Sequence, residues 1–236
     1  MKRMSVILAI FMVLILIFAA CGPIQFRYIV IDEGHTGFSI TGLVSTLSGL
    51  GYQVKTENLE TYQPQTLFDK AVIIPAPNTS FGTNAVSQLN AYMSSGGKLI
   101  LLADSRNNSN NILNNLISSL NIKGVGISFN FGTVSFSGYA DNILFYPTSL
   151  GDYFDTGNVK ALYGRNIVNA PTNMKVAYAT GNAPDSSESE IDEGPYLDVL
   201  VAENAIKGRV VAFSSMETFN NAYGAAQALL GKMINW

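Results

Sequence analysis

The chain has 236 residues, 47% of them apolar and only 13% charged, about half the roughly 25% of an average soluble protein. That length suffices for one large domain or two small ones with cores of their own, so no metal or disulfide staple is needed, and the composition excludes a charge-driven disordered chain. With 14 Lys and Arg against 17 Asp and Glu the net charge is −3, without a basic cluster; nucleic acid is therefore not an expected partner, because phosphate binding needs concentrated positive charge.

Met1-Lys2-Arg3-Met4 is a short basic start, followed by Val6–Ala20 without a polar residue. This apolar run suits the hydrophobic region of a secretory signal and falls short of the roughly 20 residues that span a bilayer. It ends in Phe18-Ala19-Ala20-Cys21-Gly22, where two small residues before a Cys resemble the bacterial lipobox. Phe18 departs from that pattern, which usually has Leu there. The resemblance implies a leader over 1–20, palmitate-type lipidation of Cys21, a short tether over 21–25, and attachment to the extracytoplasmic face of the membrane through the lipid. An uncleaved anchor that ends in Cys is the alternative. Cys21 is the only Cys, so it has no intramolecular disulfide partner, and the body of the chain holds no Cys nucleophile. Removing the first 20 residues takes Lys2 and Arg3 with them and moves the net charge from −3 to −5. A mildly acidic body is not expected to adhere to anionic lipid by charge alone. Gly22–Gln25 reaches about 15 Å when extended, which places the body close against the bilayer.

The body, 26–236, reads as a single α/β domain. Phe26–Ile31 is a β-branched and aromatic strand that runs into Asp32-Glu33-Gly34-His35. Ile40, Leu43, Val44, Leu47 and Leu50 have helical spacing over 39–50, and Gly51 is placed to stop that helix. Strands follow at 52–57 and 71–75, the latter nearly continuous in apolar residues, as a strand covered on both faces should be. Thr83 is placed to cap a helix with Val86, Leu89, Tyr92 and Met93 inside, which ends at Gly96-Gly97. Lys98–Ala103 is the strongest strand and meets Asp104; a helix over about 110–120 then buries Ile112, Leu113, Leu116 and Ile117. Strands separated by helices of this length imply a parallel sheet. The second half is less regular, with short strands expected at 126–129, 133–136, 143–146 and 175–179. Strands at 197–203 and 209–214 form a hairpin around a five-residue turn, Asn204–Gly208, and 223–236 is a last helix. Capping explains part of the Asn107–Asn111 run, and the acidic stretch Asp185–Glu193 reads as a solvated loop.

The order of elements resembles the class I glutamine amidotransferase-like superfamily. It is most similar to a non-catalytic branch that contains bacterial domains of unknown function, auxiliary proteins of gliding-motility ABC transporters and an intraflagellar-transport N-terminal domain. The motifs that carry this are Ile31-Asp32-Glu33-Gly34-His35 at the end of strand one, Leu47–Val54 after helix one, Gly96–Asp104 around the strong strand, and Gly208–Ser215 at the end. The resemblance implies a flavodoxin-like three-layer sandwich with a mainly parallel sheet and a C-terminal β-hairpin. It also implies a departure from enzymatic members, which use a Cys on a strained turn backed by His and Glu. Here His35 is the only His, and Asp104-Ser105-Arg106 lacks the small flanking residues of a nucleophile elbow.

In open parallel sheets ligands bind beyond the carboxyl ends of the strands. Asp32, Glu33 and His35 lie beyond strand one, Asn78 beyond strand three, Asp104 and Ser105 beyond strand four, and Ser215 and Glu217 beyond the last strand, so these are the candidate ligand-binding residues. A simpler reading has Asp32 and Asp104 capping loops and His35 bonded to backbone. No tight ligand spacing supports a metal site, no Gly-x-Gly-x-x-Gly follows strand one, and no cofactor is expected. Two functions fit. One is a membrane-tethered, non-catalytic binding or assembly module with a protein partner in an envelope complex, such as an ABC-type transporter. The other is an envelope hydrolase acting on a sugar or peptide through Asp32, His35 and Asp104.

Overall fold

The computed structural model describes residues 27–120, 127–179, 197–205 and 207–236, and only the backbone over 136–142. The leader, Cys21 and the acidic stretch 185–193 lie outside the described residues. In chain order the elements are β1 (Tyr28–Asp32), α1 (Thr41–Gly49), β2 (Val54–Glu57), β3 (Asp69–Pro75), α2 (Thr83–Ser94), β4 (Lys98–Leu102), α3 (Ser109–Ser119), β5 (Asn130–Phe145), α4 (Ser149–Phe154), β6 (Lys160–Val168), β7 (Lys175–Ala179), β8 (Leu197–Ala205), β9 (Gly208–Phe213) and α5 (Gly224–Asn235). Among the described residues no helix is long and apolar enough to cross a membrane.

The strands form one sheet in the order β2-β1-β3-β4-β9-β8-β6-β5-β7. β2, β1, β3, β4 and β9 are parallel, and β8 turns back antiparallel on β9. The parallel strands are apolar on both sides because their period of two feeds two separate cores. Ala71 and Ile73 of β3, with Ile100 and Leu102 of β4, pack with Leu43 and Leu47 of α1 and Leu229, Leu230 and Met233 of α5. Val72, Ile74, Leu99 and Leu101 face the opposite way, onto Leu89 and Tyr92 of α2 and Leu113 and Leu116 of α3. The result is three layers with helices on both faces of the parallel strands. Helix α1 stops where Gly51 adopts φ 81°, and the Tyr52 N–H donates to the Leu47 carbonyl at 3.1 Å, closing the last turn.

The second half departs from the sequence-based expectations. Ile127–Phe129 is not strand; β5 begins at Asn130 and runs through the two further stretches expected as separate strands. β6 and α4 were not anticipated. β6 lacks a clean alternation, since Tyr163 takes φ 52° within it and its ladder with β5 shifts register three times. β5 pairs with both β6 and β7, and β8 also pairs with both, so these four antiparallel strands close a ring of ladders. The β8–β9 ladder extends to Ala205 opposite Gly208, which makes the turn shorter than the expected five residues.

The asparagine-rich run is explained by more than capping. Asn107 Nδ2 donates to the Ala76 carbonyl at 3.0 Å, and Asn107 Oδ1 accepts from the Ser109 N–H that opens α3. Asn114 both donates to the Phe131 carbonyl and accepts from its N–H, each at 2.8 Å, so its amide pairs with β5 as a neighbouring strand would. Asn110 donates to the Gly132 carbonyl at 3.3 Å.

Candidate functional site

Parallel strands carry their last residues to one end, so Asp32, the β3 exit, Asp104 and the β9 exit converge there. Asp32 closes β1 and is 1% exposed; His35, one short turn later, is 3% exposed. His35 Nδ1 lies 2.8 Å from Asp32 Oδ2, and Nε2 lies 3.1 Å from Glu60 Oε1. Phe81 stacks on the ring with centroids 4.1 Å apart. A neutral imidazole has one N–H and could satisfy only one of two carboxylates, so this arrangement requires the imidazolium. Burial alone would lower the His35 pKa, but Asp32 first and then Glu60 outweigh it by hydrogen bonding and attraction, and hold it above its ordinary value.

Glu60 belongs to the loop after β2, which lies beside β1 in the sheet. Its carboxylate accepts the Gly82 N–H at 2.5 Å, at the N-terminus of α2. Gly82, not Thr83, is therefore the capping position, and the cap comes from a distant loop. The Gly82 bond, aided by His35 and the Ala85 N–H and opposed by burial, holds the Glu60 pKa below its ordinary value.

A second ion cluster lies at the ends of β4 and β9. Asp104 is fully buried and accepts from the Arg106 backbone N–H, from Nε at 2.9 Å and from Nη2 at 2.7 Å. Nη2 also reaches Glu217 Oε2 at 2.9 Å. The guanidinium lies between the rings of Phe38 and Tyr163, 4.7 and 4.4 Å from their centroids. Hydrogen bonds from Asp104 first and then Glu217 outweigh burial and raise its pKa further.

The side chains of Glu33, Asn78 and Ser215 lie apart from the two clusters. Glu33 is exposed, and its N–H donates to the Glu57 carbonyl. The Asn78 N–H donates to the His35 carbonyl at 2.7 Å, which ties the loops after β1 and β3 together, while its side chain is exposed. The Ser105 N–H donates to the Tyr163 carbonyl. Ser215 Oγ donates to the Leu162 carbonyl and accepts from the Thr218 N–H, so it stitches the turn after β9 to β6. Asp104 bonds to Arg106 and not to His35, so the two halves of the expected Asp32–His35–Asp104 constellation are split between separate ion clusters.

This geometry limits the chemistry. Asp32 on Nδ1 is the orienting half of an acid–base pair, but Nε2 faces another carboxylate where a nucleophile would stand. The left-handed non-glycine residues among those described are Ala76, Tyr163, Asn169 and Asn221, so the turn after β4 is not a strained elbow. Asp32 and Glu60 bind opposite sides of one ring and do not converge on a common point. Among the described residues no group of three or more His, Cys, Asp or Glu is arranged to hold a metal ion.

No protein-family model matches the chain, and no curated protein matches it significantly. Solved structures do. The chain is similar to the N-terminal domain of mmIFT52, with a TM-score of 0.59 at 12% identity over 87% of this chain and 94% of that one. It is similar to a ThuA-like protein from Parabacteroides merdae, with a TM-score of 0.58 at 11% identity over 90% and 89%. The fold is a flavodoxin-like α/β sandwich of the kind these structures have. A GMP synthase component from Thermoplasma acidophilum shares the same flavodoxin-like architecture, with a TM-score of 0.55 at 8% identity over 89% and 93%. Such identities speak for the fold alone.

Sequence reasoning did not single out Glu60, Arg106 or the three aromatic rings. Glu60 carries no local motif. Only the sheet order, with β2 beside β1, brings it next to Asp32. Arg106 was visible next to Asp104, but its second carboxylate lies 111 residues away.

Proposed function

We propose that the protein is a membrane-tethered, non-catalytic binding or assembly module of the cell envelope, serving a partner complex such as an ABC-type transporter. The observation that carries this reading is the state of the chain's only imidazole: both ring nitrogens are taken by carboxylates, beneath a stacked Phe81. A histidine held in this way staples loops together and is not available as a base. The Arg106 bridge serves the same purpose at the neighbouring strand ends. The lipobox-like run before Cys21 supports the tether.

The test is cross-linking in intact cells, followed by purification in detergent and mass spectrometry. The expected result is a diacylglyceryl group on Cys21 as the first residue, together with reproducible recovery of envelope-complex subunits. An unmodified Cys21 within an intact leader would overturn the tether. Turnover of a peptide or glycan that is abolished in a folded His35→Gln variant would overturn the non-catalytic role.

A further inference from the structure

The net charge of −5 that removal of the leader would leave describes the body poorly, because several cations gather where the parallel strands begin. Adjacent parallel strands β1, β3, β4 and β9 each begin with a cation. Arg27 precedes β1, Lys70 is the second residue of β3, Lys98 opens β4, and Arg209 lies directly opposite Lys98 on β9. Among the described residues none of these four is ion-paired with a carboxylate. Lys70 donates to Asn235 Oδ1 at 2.6 Å, Lys98 donates to the Ile234 carbonyl, and Arg209 lies over the Trp236 ring, so three of them gather round the end of α5. Burial first, then repulsion from Arg209, Lys70 and Arg27, lowers the Lys98 pKa to about 8. Two of the described carboxylates near this end are buried: Glu203 of β8, opposite Val210, is 3% exposed and accepts from the Ser128 N–H and hydroxyl, and the other is Asp69. Asp69 is 1% exposed and turned inward onto the Tyr62 hydroxyl and the Gln65 N–H. Asp32, Glu33, Glu57, Asp104 and Glu217 all stand at the opposite end of the strands.

Apolar surface accompanies the cations. Leu67 and Phe68, adjacent in the chain, are 53% and 46% exposed. They lie between Thr66, whose carbonyl accepts from Arg27, and β3. The Phe68 carbonyl accepts the Tyr28 N–H at 2.7 Å, so this pair adjoins the point where the chain coming from Cys21 enters the sheet. A tether of four residues cannot carry that end more than about 15 Å from the lipid. Exposed Leu and Phe flanked by Arg and Lys form the combination that settles into a bilayer interface.

We propose that the strand-start end of the sheet is a membrane-docking face, on which Leu67 and Phe68 enter the interfacial zone of the bilayer and Arg27, Lys70 and Arg209 meet anionic headgroups. This inference rests on the tethered reading. It fixes the orientation of the body, with the ion-clustered strand ends turned away from the bilayer towards any partner.

The test uses the protein expressed from its whole sequence, purified from membranes and reconstituted in vesicles of phosphatidylcholine with or without phosphatidylglycerol. An environment-sensitive fluorophore is placed at Phe68→Cys, at Leu67→Cys as a second docking position, and at Glu33→Cys as the distal control. The expected result is blue-shifted emission at 67 and 68, quenched by a lipid-borne quencher and enhanced by phosphatidylglycerol, with the label at 33 remaining aqueous. In an Arg27→Gln/Arg209→Gln background the ratio of docked to undocked protein should fall about fivefold per cation removed on anionic vesicles. Retention on vesicles with labels at 67 and 68 as aqueous as at 33 overturns the docking face and leaves the tether standing. Loss of the protein from vesicles of both compositions, or labelling of Cys21 itself, overturns the tethered reading and the docking face with it.

Discussion

Replacing His35 by Ala removes the one cation that neutralises Asp32 and Glu60 together. Asp32 would keep the Leu59 N–H at 3.3 Å as its described partner, with its carboxylate 1% exposed. Stranding one member of a buried ion pair costs about 3–5 kcal/mol. Glu60 is one-third exposed and remains capped on α2, so it adds little, and the expected loss lies near the lower end, about 3 kcal/mol. Against a typical total of about 5–15 kcal/mol this is a large fraction, readable by urea denaturation. The sign with pH follows from the direction of the shift. Because the folded pKa is raised, the contribution is complete below the unfolded value of 6.5 and is lost as pH rises through the folded value. Within that window wild-type stability should fall by about 1.4 kcal/mol per pH unit, and His35→Ala should flatten the slope. Glu60, with its folded pKa lowered, acts oppositely; its contribution is present above 4.5 and lost as pH falls through the folded value. Since the sequence has a single His, ¹⁵N spectra of the ring report its state directly. A ring with one unprotonated nitrogen at pH 6.5, or a flat stability profile above that pH, would refute the reasoning.

Arg106→Gln should destabilise the fold by about 2 kcal/mol, below the full buried-pair figure because the guanidinium is 35% exposed; urea midpoints that coincide with wild type would count against a structural bridge. Gly208→Ala puts a Cβ 2.4 Å from the Gly97 carbonyl oxygen, so backbone must shift, and a loss of about 1–3 kcal/mol is expected in thermal melts. An unchanged melting temperature would show that the β8–β9 turn has room to spare. Lys98→Met removes a charge whose folded pKa is lowered to about 8 from 10.5. Wild-type stability should therefore rise with pH between those values, and the variant should lack that rise and be at least as stable at pH 7. A variant less stable at pH 7 would mean that the bond to the Ile234 carbonyl outweighs the desolvation of the ammonium.

The parallel half was legible because its signals are local. β1, β3 and β4 are short apolar runs, and the spacing of Leu43 with Leu47, and of Leu113 with Leu116, marks helix faces whatever they pack against. Asp32 and His35 could be nominated because both lie at a recognisable strand end. Their partner Glu60 could not, since its relation to them depends on which strand neighbours β1. The antiparallel half was obscure for a related reason. Gly132, Gly138 and Asn142 fall within β5, and β6 contains a left-handed Tyr163 that no local pattern announces. Strand identity there is set by pairing across the ring, which no local pattern records.

The ring of ladders closed by β5, β6, β7 and β8 has a consequence for solubility. Among the described residues β2 is the one strand paired on a single side, and it is only four residues long with Lys55 and Glu57 on it. Unpaired backbone groups on a long apolar strand would invite a second copy to add its own strand, and the hazard grows when copies are crowded in two dimensions on a surface. With one border of the sheet folded back on itself through β7 and β8 and the other cut short and charged, sheet extension by a neighbouring copy is disfavoured at both borders. Such borders favour contact through side chains, on loops or helices, over lengthening of the sheet.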